Sequence, residues 1–112
     1  MQRDSRKFLG DMLDRAQFVS HLLVDKTVTD LESDRLLRSA VERELMVLGE
    51  ALCQLHRIAP ERAEQITRWD DIIGFRHILV HGYDVLDMQI VWDATKQDLP
   101  QLIHQLELML SE

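Results

Sequence analysis

The chain has one cysteine, two prolines, four glycines and an aromatic fraction of only 5% in 112 residues. Each shortage excludes something. The lone Cys53 cannot close an internal disulfide, which rules out a disulfide-stapled scaffold and predicts a reducing, cytoplasmic setting. With so little proline and glycine, and no long polar tract, there is no visible linker or repeat, so residues 1–112 read as one domain. No stretch approaches the roughly 18 apolar residues of a membrane span. The opening residues Met1 to Lys7 are not followed by the clean apolar run of a secretory leader, so none is predicted. Positive charge is also scarce. Thirteen Lys and Arg against twenty Asp and Glu give a net charge of −7. That balance argues against a bulk nucleic-acid binder, because phosphate neutralisation supplies most non-specific affinity.

What remains is ample for a soluble core: 46% hydrophobic and 29% charged residues. The charge is uneven. Residues 84–112 carry six acids and one base, whereas residues 57–83 balance four against four and add His77 and His81. A local basic site can survive there, without the long-range field that speeds capture of an anionic partner.

Nearly every segment has helical period. Phe8, Met12, Ala16, Val19, Leu22 and Leu23 predict a first helix over about residues 5–25. Thr27 to Asp30 reads as a connection. Leu37, Val41, Leu45, Leu48, Leu52 and Leu55 form the seam of a long second helix ending near Arg57. Pro60 stops it, and residues 61–66 suggest a short helical piece. Asp70 is a plausible N-cap for a helix over about residues 71–81, with Gly82 suited to a left-handed C-terminal position. Asp87 would cap a last helix bearing Ile90, Ala94, Leu99, Leu102, Ile103, Leu106 and Met109, kinked or broken at Pro100. Strand-like alternation is absent. The expected fold is an all-α, up-and-down bundle of four main helices with a short extra one.

Usable chemistry concentrates in Arg76-His77-Ile78-Leu79-Val80-His81-Gly82-Tyr83, an R-x-x-x-x-H-x-Y string at a helix end. At about 100° per residue, Ile72, Phe75, Ile78 and Leu79 share one arc of about 120°, the expected core stripe. His77 and His81 lie within about 40° of each other on the opposite side, and Arg76 about 140° from His81. An isolated histidine is ordinarily a surface or packing residue; two of them with Arg and Tyr at one helix end are less easily dismissed. Three chemistries fit. In metal-free RNA cleavage a histidine moves protons at the 2′-hydroxyl or the leaving oxygen, and an arginine stabilises charge on phosphorus. Alternatively, His77 and His81 at i, i+4 could chelate a divalent metal with Asp84 nearby, although no second ligand pair completes a site. Protease-style nucleophilic catalysis is weaker still, as no Ser or Cys has a motif around it. Gly74, mid-helix, costs about 1 kcal/mol against Ala and suggests close approach by another helix. Elsewhere ordinary roles prevail. His21, His56 and His104 are expected to be exposed, Cys53 to be a small buried residue, and Trp69 and Trp92 to pack. Glu42 or Glu50 could pair with Arg76.

The cluster resembles the HEPN superfamily, specifically its HepT-like toxin branch. Three further blocks share the likeness: Trp69-Asp70-Asp71-Ile72-Ile73-Gly74-Phe75, then Ala40-Val41-Glu42-Arg43 with Leu48-Gly49-Glu50-Ala51, and Ile90-Val91-Trp92-Asp93 with Asp98-Leu99-Pro100. The resemblance implies a homodimeric HEPN bundle whose two motifs meet in a composite cleft. It implies a metal-independent ribonuclease toxin, without cofactor, acting on RNA and by family analogy on tRNA. Its partner would be a minimal nucleotidyltransferase antitoxin (MntA-like) that silences the toxin by transferring AMP to the motif tyrosine. Carried over, Arg76 and His81 are the catalytic pair and Tyr83 the modification site. His77, standing where relatives often have Asn, is a supporting residue. The rival expectation is a non-catalytic HEPN-like dimer serving a nucleotidyltransferase as its nucleotide- or substrate-binding subunit, which the acidic charge favours modestly.

Overall fold

Six leucine and valine positions on one long helix organise the molecule. The computed structural model describes residues 2–82, 84 and 86–112, and among the described residues every regular element is helical. In order these are α1 (Gln2–Leu22), α2 (Val28–Ser33), α3 (Arg35–Ile58), α4 (Pro60–Ala63), α5 (Trp69–His81), α6 (Met88–Asp93), a π-helical turn (Ala94–Asp98) and α7 (Leu99–Leu110). α3 is central: α1 and α5 pack against it, and α7 packs on α1. The seam Leu37, Val41, Leu45, Leu48, Leu52 and Leu55 is buried throughout, as its spacing predicts. With α6, the π turn and α7 counted as one continuous segment, the result is the expected all-α bundle of four main helices. Among the described residues, no helix is long and apolar enough to cross a membrane.

The details depart from the sequence reading in four places. Thr27 does not merely connect: its hydroxyl accepts from Asp30 N (3.2 Å) while its own N–H donates to Asp30 Oδ2 (2.8 Å), a reciprocal cap that starts α2. Asp34 then caps α3 through Leu36 N and Leu37 N. Asp70 is not the N-cap of α5. Arg68 holds that position in a left-handed conformation (φ 60°), and Asp70 and Asp71 occupy the first turn, where the helix dipole favours them. Gly82 closes α5 at φ −109°, not in the left-handed region, with its N–H bonded to Ile78 O at 2.8 Å.

The fourth departure concerns the last segment. The irregularity falls just before Pro100, which sits in the first turn of α7, where the preceding π turn already departs from the regular bonding that its missing N–H would join. The preceding π turn carries a wide bond from Leu99 N to Ala94 O. Nor do Ile90 and Ala94 continue the core stripe, since Ile90 is 56% exposed. The buried line runs Val91, Thr95, Leu99, Leu102, Leu106, Met109. Thr95 can be buried because its hydroxyl donates to Trp92 O at 2.8 Å.

Candidate active site

The motif rides on α5, whose start is fixed to the end of α3. Trp69 stacks on His56 with ring centroids 4.6 Å apart, and His56 contacts Glu64 Oε2 at 3.0 Å. His56 is therefore a half-buried packing residue, not the exposed one expected; His21 and His104 are exposed. Arg68 ties the same end of α5 to the π turn through Asp98, and it also binds Asp71. That hydrogen bond and the neighbouring acids raise the Arg68 pKa further above its already high value.

From this base α5 runs along α3, and Arg76 meets α3 at Gly49. A Cβ built on Gly49 would collide with Arg76 Cβ and lie 2.6 Å from Arg76 Cγ. Glycine is thus required there for close approach rather than for backbone freedom. With its stem on that gap, Arg76 donates from Nη2 to Glu50 Oε2 at 2.9 Å. Of the two acids suggested by sequence, Glu50 makes the pair and Glu42 does not; Glu42 has its pKa raised by burial, partly offset by Arg38. The other oxygen of Glu50 accepts from Gln54 Nε2 at 2.9 Å, and Gln54 Oε1 accepts from Arg57 at 3.2 Å. Arg76 Nε is buried with no hydrogen-bond partner. Cys53 is half-buried beside this group. Burial foremost, then Glu50, pushes its thiol pKa up, against the pull of Arg76 and Arg57.

The histidines face elsewhere. His77 and His81 are exposed, their ring centroids 4.7 Å apart and tilted by 52°, so the two imidazoles do adjoin as helical spacing predicts. Arg76 is bound to Glu50, on the α3 side, and among the described residues no hydrogen bond links it to His81, whose ring adjoins His77. Among the described residues, no three His, Cys, Asp or Glu are gathered to hold a metal ion, so His77, His81 and Asp84 do not form the chelate considered above. Tyr83 lies outside the described residues. The stripe assigned to the core is only partly so: Leu79 is buried, Ile72 and Phe75 are half-buried, and Ile78 is 45% exposed. Among the described residues, Gly74 has nothing within 4 Å of its would-be Cβ, so no described helix approaches it closely. An apolar groove of about 330 Å³ opens between α3, α5 and α7 over Leu48, Ile72, Phe75 and Leu102, but neither Arg76 nor either histidine lines it.

Gln54 and Gly49 were not singled out as site residues from the sequence. Gln54 stands four residues after Glu50, a spacing that puts both on one helix face and could have flagged it.

Residues 12–109 match the model of a family described as ribonuclease HepT-like. The chain belongs to the HepT-like ribonuclease family. It is 29% identical over 108 residues to "Putative RNase MJ1380" of Methanocaldococcus jannaschii, covering 96% of this chain and 98% of that protein. It is 26% identical to "Probable ribonuclease HepT" of Thermococcus cleftensis, covering 91% and 92%. A third relative, "Gamma-glutamylcyclotransferase and putative RNase MJ0434" of M. jannaschii, is 27% identical over the whole of this chain, which spans 50% of that protein's length. No solved structure matches. In this HepT-like chain, Arg76, His81 and Tyr83 occupy one short segment, with Arg76 and His81 on different sides of α5.

Proposed function

We propose that the chain is a metal-independent endoribonuclease, the toxin of a toxin–antitoxin pair, with Arg76 and His81 as its catalytic residues. The observation that carries this reading is membership of the HepT-like ribonuclease family across residues 12–109, with the motif arginine held by an ion pair on α3. In the reaction, the substrate's 2′-oxygen loses its proton and bonds to the adjacent phosphorus. The bond from phosphorus to the 5′-oxygen then breaks, and that oxygen takes up a proton. The product ends are a 2′,3′-cyclic phosphate and a 5′-hydroxyl. His81 moves protons and Arg76 stabilises the charge accumulating on phosphorus. His77, beside His81, assists by orienting it or the substrate.

A second copy resolves the separation within one chain. Arg76 of one protomer would face the cleft beside His81 of its partner, and two His81 rings would supply both a base and an acid. Two features of α5 favour packing against another copy: the half-exposed Ile78 and the open space over Gly74. The antitoxin is a nucleotidyltransferase that adds AMP to Tyr83, placing a bulky anion beside the site that would block substrate and compete for Arg76. The substrate is RNA, by family analogy tRNA.

Induced expression of wild type beside His81→Ala, scored for growth and RNA integrity, tests the reading. Arrest and RNA fragmentation by wild type alone would support it. Harmless expression of both would favour the non-catalytic subunit of a nucleotidyltransferase instead. Incubation with the cognate nucleotidyltransferase and ATP should add AMP mass to wild type and not to Tyr83→Phe; an adduct elsewhere would sink the assignment of Tyr83.

A further inference from the structure

Arg76 is held by more than a single ion pair. Glu50, Gln54 and Arg57 stand at i, i+4 and i+7 along one face of α3. Their side chains form an ordered chain: Arg57 Nη1 donates to Gln54 Oε1, Gln54 Nε2 donates to Glu50 Oε1, and Glu50 Oε2 receives Arg76 Nη2. The polarity is consistent along its length. The carboxylate accepts on both oxygens, and the amide of Gln54 is fixed in one orientation by having a donor on one side and an acceptor on the other. Arg57 anchors the end in the last turn of α3, where the helix dipole favours a cation.

The physical need for such a chain is clear. Arg76 and Glu50 side chains are 29% and 44% exposed, and pairs of that kind usually contribute little, because two long side chains must be ordered to make them. Here Gln54 tethers the carboxylate and Gly49 admits the arginine stem, so much of that ordering is already in place. The pose also leaves Arg76 Nε buried without a partner, a cost that the contact with Glu50 must offset. One edge of the guanidinium is engaged by Glu50 through Nη2, and Nη1, which has no hydrogen-bond partner among the described residues, would meet an incoming phosphate oxygen.

We infer that Glu50 and Gln54 are positioning residues: a hydrogen-bonded relay on α3 that presents the Arg76 guanidinium to the scissile phosphate. Neither touches substrate; both act through Arg76. The inference rests on the ribonuclease reading for its catalytic meaning, but the relay itself can be measured apart from it.

The experiment takes the full chain as wild type, Glu50→Ala, Glu50→Gln, Gln54→Ala and Arg76→Ala, each checked for an unchanged melting profile. Steady-state RNA cleavage and the side-chain ¹⁵N–¹H signals of Arg76 are both recorded. Since hydrogen bonds to a charged group are the stronger kind, Glu50→Ala should lower kcat about tenfold or more and Gln54→Ala about threefold, with KM within about twofold. Glu50→Gln keeps an acceptor for Nη2 and should restore most of kcat, which a merely structural loss of charge would not. In the spectra, the Nη2 protons should be slowed in wild type, averaged in Glu50→Ala, and partly averaged in Gln54→Ala. Arg76 signals that do not respond to Glu50→Ala or Gln54→Ala overturn the relay, whatever the cleavage assay shows. Responsive signals with unchanged kcat overturn its positioning role. Cleavage unaffected by Arg76→Ala, or absent in wild type, defeats the ribonuclease reading instead and leaves the spectra to decide the relay.

Discussion

At the residue scale, Gly49 and Arg76 form the tightest contact between the motif and its support. Ala is the better helix former by about 1 kcal/mol, so propensity alone would favour Gly49→Ala. Against that, the new methyl would meet Arg76 Cβ and Cγ, atoms next to the backbone that cannot swing aside. Overpacking of this kind costs about 1–3 kcal/mol. Gly49→Ala should therefore lower thermal stability modestly and push α5 off α3, with a larger loss of cleavage than of stability. A variant as active and as stable as wild type would contradict the close-approach argument. The pairing of Arg76 with Glu50 was within reach of the sequence, because the α3 seam fixes which face its acids occupy. Choosing Glu50 over Glu42 was not, since that depends on where α5 lands along α3. Nor was the placement of Ile78: the apolar arc of α5 says which residues would favour burial, but not how much core is available to cover them.

At the scale of elements, long apolar seams were legible and short polar-capped pieces were not. α3 is legible nearly to its ends because a 24-residue helix repeats its signal many times. α2 is six residues long, and its start depends on the Thr27–Asp30 capping box rather than on periodicity. Apolarity alone points to Ile90 and Ala94 on the line through α6 and α7, whereas Thr95 is the residue buried there, because a single hydroxyl bond suffices to bury it. Capping can be tested directly. Asp34 supplies the side-chain acceptor at the start of α3, so Asp34→Ala should cost about 1 kcal/mol in denaturant unfolding. It should leave cleavage intact, because the site lies toward the other end of that helix. No loss of stability would show that the cap is not what holds the start of α3.

At the scale of the whole molecule, the chain is acidic, and among the described residues the motif's arginine bonds Glu50 rather than either histidine. The separation of arginine and histidines is what the proposed second copy would bridge, whereas the like charge of two copies opposes their association. Gly74 offers a clean probe because it is open in the isolated chain. Gly74→Ala should stabilise the monomer by about 0.5–1 kcal/mol, through reduced freedom of the unfolded chain and better helix propensity. If a second copy packs there, the same change should weaken the dimer in sedimentation equilibrium. A dimer unaffected by Gly74→Ala would place the contact elsewhere.

The central claim is that Arg76 and His81 cleave RNA without a metal. Its most direct test is incubation of purified wild type, Arg76→Ala and His81→Ala with RNA in excess EDTA, with product ends identified by mass spectrometry. The proposed mechanism predicts fragments ending in 2′,3′-cyclic phosphate from wild type. Removal of a proton-transfer group typically costs about 10²–10⁴-fold and of an electrostatic stabiliser about 10²–10³-fold, so His81→Ala and Arg76→Ala should each fall by at least about a hundredfold. Cleavage abolished by EDTA, or His81→Ala cleaving as fast as wild type, would contradict it.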